Sequence, residues 1–269
     1  AANQRLTPTE RRIAEEVIKE PTLLAFGTVS DLAERVGTSR PSIVRFANKL
    51  GFDGYTDLQT QVRSGLSQQL SRPSDRIRNA PEPAREGARV AMQEALEIAL
   101  AATAGEALVQ LTRPLVTAEN VWILSGETSR AGAHALQSGL TMVRPDVHLI
   151  DEHSGGRALS GAGRKDAAVV IDFARYRQHA VTTARALATR DVQIVAITDG
   201  PFSPLASLTT NWCELKIPAI GPFDSSLPVV AVAELMVAEA AGQLRAQARR
   251  RIDETERLWE DMGTFLPDN

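Results

Sequence analysis

Five short apolar runs, opening at Val121, Val147, Ala167, Val192 and Trp212, constrain the fold of this chain more than any other feature. They recur about every two dozen residues, and most of the gaps between them carry helical periodicity. A strand and a helix repeating at that interval form the βα unit, and successive units build a parallel sheet with helices on its faces. The second to fourth runs, among them Val169-Val170-Ile171 and Ile194-Val195-Ala196-Ile197, are nearly all apolar, as strands covered on both faces must be. Trp212 to Ile217 instead alternates Glu214 and Lys216 with Cys213, Leu215 and Ile217, which places it at an edge. The expectation for residues 88–250 is an α/β domain: a doubly wound, mainly parallel five-stranded sheet. Ala88 to Leu111 leads in as one long or broken helix, and Pro222 to Arg250 is largely helical. A polar tail helix around Ile252 to Met262 occupies residues 251–269.

Residues 1–70 follow a different pattern, that of an all-α domain of consecutive short helices. Thr7-Pro8-Thr9-Glu10 is a capping box that launches Glu10 to Glu20, with Ile13, Val17 and Ile18 inward and Pro21 as the stop. A second helix starts near Ser30 and runs from Asp31 to Val36, ending at Gly37. Ser39 caps a third, in which Ile43, Phe46, Ala47 and Leu50 recur at helical spacing before Gly51. Thr56 to Leu70 forms a fourth, with Leu58, Val62 and Leu66 on one side. Residues 71–87, rich in proline and charge, read as the linker between domains.

The net charge of −3 hides a local reversal. Between Arg35 and Phe52 stand four cations, Arg35, Arg40, Arg45 and Lys49, and no carboxylate. Two helices joined by a tight turn, the second exposing Ser39, Arg40, Ser42, Arg45, Asn48 and Lys49, have the form needed to read a major groove. Arg40 and Ser42, near the helix start, suit base edges; Arg45 and Lys49 suit phosphates. The expected partner is double-stranded operator DNA. A single cysteine, Cys213, cannot make an intrachain disulfide, so a reducing cytosol is expected. The apolar stretch Leu227 to Ala241 is broken by Glu234 and Glu239, and no membrane segment is expected.

Leu6 to Ala14, Ser30 to Ser39 and Ile43 to Phe52 closely resemble the helix-turn-helix domain of RpiR/MurR-type bacterial transcription regulators. The resemblance implies a following sugar isomerase (SIS) domain that senses a phosphosugar, and Thr198-Asp199-Gly200-Pro201-Phe202-Ser203-Pro204-Leu205-Ala206 looks like the family segment after the fourth strand. Two loops depart from the family. After the first strand, Ser125-Gly126-Glu127-Thr128-Ser129 keeps the serine but puts Glu127 where glycine is usual. After the third, the hydroxyl-rich phosphate cradle is replaced by Asp172-Phe173-Ala174-Arg175-Tyr176-Arg177.

Ligands of open α/β sheets bind beyond the carboxyl ends of the strands, at the switch in strand order. The effector crevice is therefore expected at Ser125, Glu127, Thr128, Ser129, Asp172, Arg175 and Arg177, with Thr198 to Ser203 nearby. Arg175 and Arg177 are expected to face Asp172 and Glu127 and to hold a small anionic metabolite: a sugar phosphate or, given the altered loops, a carboxylate or zwitterion. His134, His148, His153 and His179 lack metal-ligand spacing, and no nucleophile, triad or phosphate loop is visible, so no metal, cofactor or catalysis is expected. The reading is a ligand-responsive repressor of a catabolic or transport operon, acting as a homodimer or tetramer. Two alternatives stay open: a SIS-type sugar-phosphate isomerase or lyase with a helical extension, and an interaction protein whose SIS domain only dimerises.

Overall fold

The computed structural model describes residues 6–19, 23–24, 27–70, 74, 76, 84–153, 155–201 and 203–266. Among the described residues the N-terminal elements are α1 (Pro8–Lys19), α2 (Val29–Val36), α3 (Arg40–Lys49) and α4 (Tyr55–Leu70). The capping box of α1 forms as expected, with Glu10 Oε2 accepting from Thr7 N at 2.7 Å and Thr7 Oγ1 from Glu10 N at 3.3 Å. The cap of α2 is Thr28 rather than Ser30. Thr28 Oγ1 accepts from Asp31 N and the Asp31 carboxylate accepts from Thr28 N, a reciprocal pair that Ser30, already inside the first turn, cannot make. Gly37, at φ 68°, ends α2 by donating to Ala33 O and Glu34 O. Ile13, Val17, Leu32, Ile43, Phe46 and Leu58 meet in one buried core. Ile18 and Leu66, read as inward-facing, and Pro21 lie outside the residues whose side chains are described.

Helices α5 (Ala84–Ala102) and α6 (Glu106–Thr117) lead into the second domain. The first opens inside the stretch read as linker. The expected long helix is broken at Gly105, whose φ of 58° lies in the region glycine favours, and the two halves meet at 73°. Five strands follow: β1 (Val121–Ser125), β2 (Val147–Leu149), β3 (Ala167–Ile171), β4 (Gln193–Thr198) and β5 (Trp212–Glu214). They interleave with α7 (Arg130–Val143), the short α8 (Gly155–Ala158) and α9 (Gln178–Ala188). The sheet is entirely parallel in the order β2-β1-β3-β4-β5, with β5 at one edge as its alternation requires and β2 at the other. A two-stranded antiparallel ribbon, β6 (Ala219–Ile220) and β7 (Phe223–Asp224), occupies part of the span expected to be helical. Helices α10 (Leu227–Leu244) and α11 (Ala246–Asp261) close the chain.

Strand alternation divides the core. Val121, Ile123, Val169, Ile171, Val195 and Ile197 face α5, α6, α7, α10 and α11, whereas Trp122, Leu124, Val170 and Ala196 face α9 and Leu159. Helix α10 is apolar and long enough to cross a membrane by composition, but Val229, Val232, Ala233 and Met236 are spent inside this core. The tail helix is not separate either. It opens at Ala246 rather than near Ile252, buries Ala248 and ties Arg251 Nε to Thr141 O at 2.7 Å. Proline and arginine side chains leave marks on α6. Pro114 cannot donate to Gln110 O, and Asn211 Nδ2 takes that carbonyl at 2.9 Å. The buried Arg144 guanidinium caps the end of α6 by donating to the carbonyls of Leu115, Ala118 and Glu119.

Candidate functional site

Two surfaces collect the residues singled out from the sequence. On α3, Ser39, Arg40, Arg45 and Asn48 are exposed and Ser42 is half-buried. Ser39 precedes the helix without capping it through its side chain. Its hydroxyl lies 2.9 Å from Ser42 Oγ, which in turn accepts from Arg45 Nη2 at 3.0 Å. This chain of contacts holds the Arg45 side chain along the helix. Arg40 makes no ion pair among the described residues.

The other two cations of the basic stretch are committed elsewhere. Lys49 Nζ sits 2.7 Å from the Glu10 carboxylate and Arg35 Nε 2.8 Å from that of Glu16, so both fasten the reading unit to α1. The expectation that Lys49 faces phosphate is revised: its charge is half-buried against the carboxylate that caps α1. Hydrogen bonds from Lys49 and from the Thr7 amide hold the Glu10 carboxyl below its ordinary range.

The second surface lies at the switch point, where the chain leaves β1 for β2 on one side and returns to β3 on the other. The loops after β1 and β3 are neighbours there, as expected. They touch at Gly126, where an added Cβ would fall 2.0 Å from Asp172 Oδ1. Ser129 opens α7 and is fully buried, its Oγ without a partner among the described residues; Glu127 and Thr128 are exposed and Ser125 is half-buried.

The expected facing of Arg175 and Arg177 onto Asp172 and Glu127 does not form. Glu127 stands 3.9 Å from Arg130, both side chains largely exposed. Asp172 is 2 % exposed and points into its own loop, accepting from Phe173 N at 3.0 Å and from Arg177 N at 2.7 Å. Arg175 and Arg177 are exposed, and neither makes an ion pair among the described residues. Arg175 takes a φ of 70°, in the left-handed region, which costs a residue with a Cβ about 1 kcal/mol.

The sequence pattern missed what supports that loop. Asp199, after β4, accepts from Ala174 N at 2.8 Å through Oδ2 and from the Tyr176 hydroxyl through Oδ1. Thr198 and Ser203 hydroxyls lie 2.6 Å apart beneath it. Burial, then the Asp199 charge, push the Tyr176 phenol up, so it is a donor at any physiological pH. Burial raises Asp172 to about 6 against the pull of its two amide bonds, and burial followed by Asp199 raises Glu214. The turn signal Asp199-Gly200-Pro201 was the one available hint; the reach of Tyr176 across to it was not. A groove of about 260 Å3 lies between α8 and α9, lined by Leu159, Thr183 and His179, and His179 Nε2 is buried there without a partner among the described residues.

Residues 1–69 match the family model of the helix-turn-helix domain, rpiR family, and residues 124–239 match that of the SIS domain. The bifunctional protein glk of Paraburkholderia xenovorans (strain LB400) is 32% identical over 62 residues, 23% of this chain and 10% of that protein. The uncharacterized HTH-type transcriptional regulator YfhH of Escherichia coli (strain K12) is 30% identical over 76 residues, 28% of this chain and 27% of that protein. The chain thus spans only about a tenth to a quarter of the length of these curated relatives. Among solved structures, the Vibrio vulnificus NanR protein complexed with ManNAc-6P aligns with a TM-score of 0.59 and 17% identity, over 96% of this chain and 94% of that one. The sugar isomerase domain of an RpiR transcription factor from Sphaerobacter thermophilus aligns at 0.60 and 23% identity, over 64% and 98%. At these identities the likeness is one of fold.

Proposed function

The chain belongs to the RpiR-type proteins, in which a helix-turn-helix domain precedes a SIS domain, and from that premise we propose that it is an effector-responsive transcriptional repressor. The observation that carries this reading is the face of α3. Arg40 and Arg45, together with Ser39 and Asn48, are exposed on the second helix of a two-helix reading unit whose remaining cations are spent on holding that unit to α1. Arg40, at the helix start, reads a base edge; Arg45 meets phosphate. Footprinting the operator at moderate salt with the double variant Arg40→Ala, Arg45→Ala tests this. Loss of the footprint is expected, and a footprint equal to the parent's would refute the assignment.

The SIS domain is the sensor. Its effector, a small sugar-derived or carboxylate-bearing metabolite, lies at the switch-point crevice, with Ser125 and Thr128 on one wall, the buried Ser129 hydroxyl behind them, and Arg175 and Arg177 at the mouth. Arginine holds a carboxylate by two parallel hydrogen bonds and needs no hydroxyl cradle. Asp172 and Asp199 both accept hydrogen bonds from the β3–α9 loop instead of standing free as a general base, which favours sensing over catalysis. The active form is a homodimer. Val90, Ile98 and Leu100 on α5 and Leu258, Met262 and Phe265 near the C-terminus leave apolar surface exposed, and a second copy covers it.

A further inference from the structure

The loop from β3 to α9 opens a helix, and such a loop ordinarily presents free backbone N–H groups to an anion. Here three of the loop's N–H groups are already taken. Phe173 N donates to Asp172 Oδ1 at 3.0 Å, Arg177 N to Asp172 Oδ2 at 2.7 Å and Ala174 N to Asp199 Oδ2 at 2.8 Å. Asp172 is 2 % exposed and packed against Gly126, where even a methyl group would not fit. Asp199 is held on its other oxygen by the Tyr176 hydroxyl. A phosphate drawn to this loop would meet the Asp172 charge beside the Arg177 amide and find the Phe173, Ala174 and Arg177 amides filled.

We infer that Asp172 is a built-in anion: with Asp199 it occupies the Phe173, Ala174 and Arg177 amides of the β3–α9 loop, and so determines that the effector crevice takes a ligand without a phosphate group on those amides. The inference rests on reading the crevice as the effector site and deepens it by naming the ligand class. An effector that carries negative charge is gripped by the guanidiniums of Arg175 and Arg177 at the mouth and not by backbone amides. The positional strain at Arg175 fits that arrangement, since the turn that carries it is held from below by the two carboxylates.

The test uses the full-length protein and inorganic phosphate as the probe, followed by amide NMR shifts of Phe173, Ala174 and Arg177 and by calorimetry. Wild type should show no saturable shift at those amides. Asp172→Ser, whose side chain is too short to span both amides, should bind phosphate at least about tenfold more tightly, with shifts at the same residues. Asp172→Asn keeps the volume and one acceptor but removes the charge, and serves if the serine variant folds poorly; its gain is smaller but in the same direction. Saturable phosphate shifts at these amides in wild type would overturn the inference. So would a folded variant that gains no phosphate binding. Operator footprinting of wild type reports separately on the regulator reading: its failure sinks that reading while leaving the phosphate result standing, and the reverse outcome sinks only the present inference.

Discussion

Arg40 and Lys49 lie on one ten-residue helix, carry the same charge and face different tasks. Replacing Arg40 with Ala should cost about 1–3 kcal/mol in operator affinity and relax base preference at one position, as read by competition with altered half-sites. Lys49→Ala should leave the salt dependence of DNA binding nearly unchanged and instead lower the stability of the N-terminal domain by about 1 kcal/mol, because its partner is Glu10. A shallower salt slope in that variant would return Lys49 to the phosphate backbone. Asp172 makes a separate prediction. Its carboxyl titrates near 6 in the fold, above the ordinary value of about 3.9 that it has in the unfolded chain. The folded state therefore keeps the proton longer, and this group's contribution to stability falls as pH rises from about 4 to about 6, then levels off. Asp172→Asn should remove that downward slope. Urea unfolding of both proteins across this window is the measurement, and parallel profiles would contradict it. Glu10 and Asp31, whose carboxyls are lowered by their hydrogen bonds, act in the opposite direction but are common to both proteins and cancel.

At the scale of elements, the SIS domain depends on how closely α7 and α10 approach. A Cβ added at Gly132 would fall 2.2 Å from Val229 Cγ1, and one at Gly139 2.6 Å from Val237 Cγ2. Gly132→Ala should force the helices apart at a cost of about 1–3 kcal/mol, seen as a lower melting temperature. The C-terminal end of α6 depends on a side chain from elsewhere: without the Arg144 guanidinium, the carbonyls of Leu115 and Ala118 lose a buried donor. Arg144→Met keeps the volume but should cost about 2–4 kcal/mol. A near-neutral effect would mean that water replaces the guanidinium. Since α6 packs directly on β3 and β4, the loss should also blur the crevice above those strands.

For the whole molecule, the exposed apolar side chains of α5 and α11 set the prediction. Helix α10 buries Val229, Val232, Ala233 and Met236 within the chain, whereas α5 keeps Val90, Ile98 and Leu100 outside. Sedimentation of the full-length protein without DNA should show a dimer, and Ile98→Glu should shift it toward monomer; a wild-type monomer at micromolar concentration would count against the assembly. Two reading heads in a dimer meet half-sites about 34 Å apart or a multiple of it. An effector that alters their spacing must change DNA affinity by the same factor by which DNA changes effector affinity.

The five apolar runs, the capping box at Thr7, the stop at Gly37 and the edge character of Trp212 to Ile217 were legible because each follows from local chemistry: strand covering, helix-end hydrogen bonding, or side-chain alternation. The exposed face of α3 was legible for the same reason, as the complement of its buried positions Ile43, Phe46 and Ala47. What only the tertiary structure decided is where charge is spent. Lys49 finds a partner 39 residues away, Ala174 N finds the Asp199 carboxylate 25 residues away, and Asp172 turns inward onto the amides of Phe173 and Arg177. A residue type and its spacing announce that a charge exists. Which way it points depends on the donors and acceptors that the rest of the chain brings within about 3 Å, and that is a property of the packed molecule.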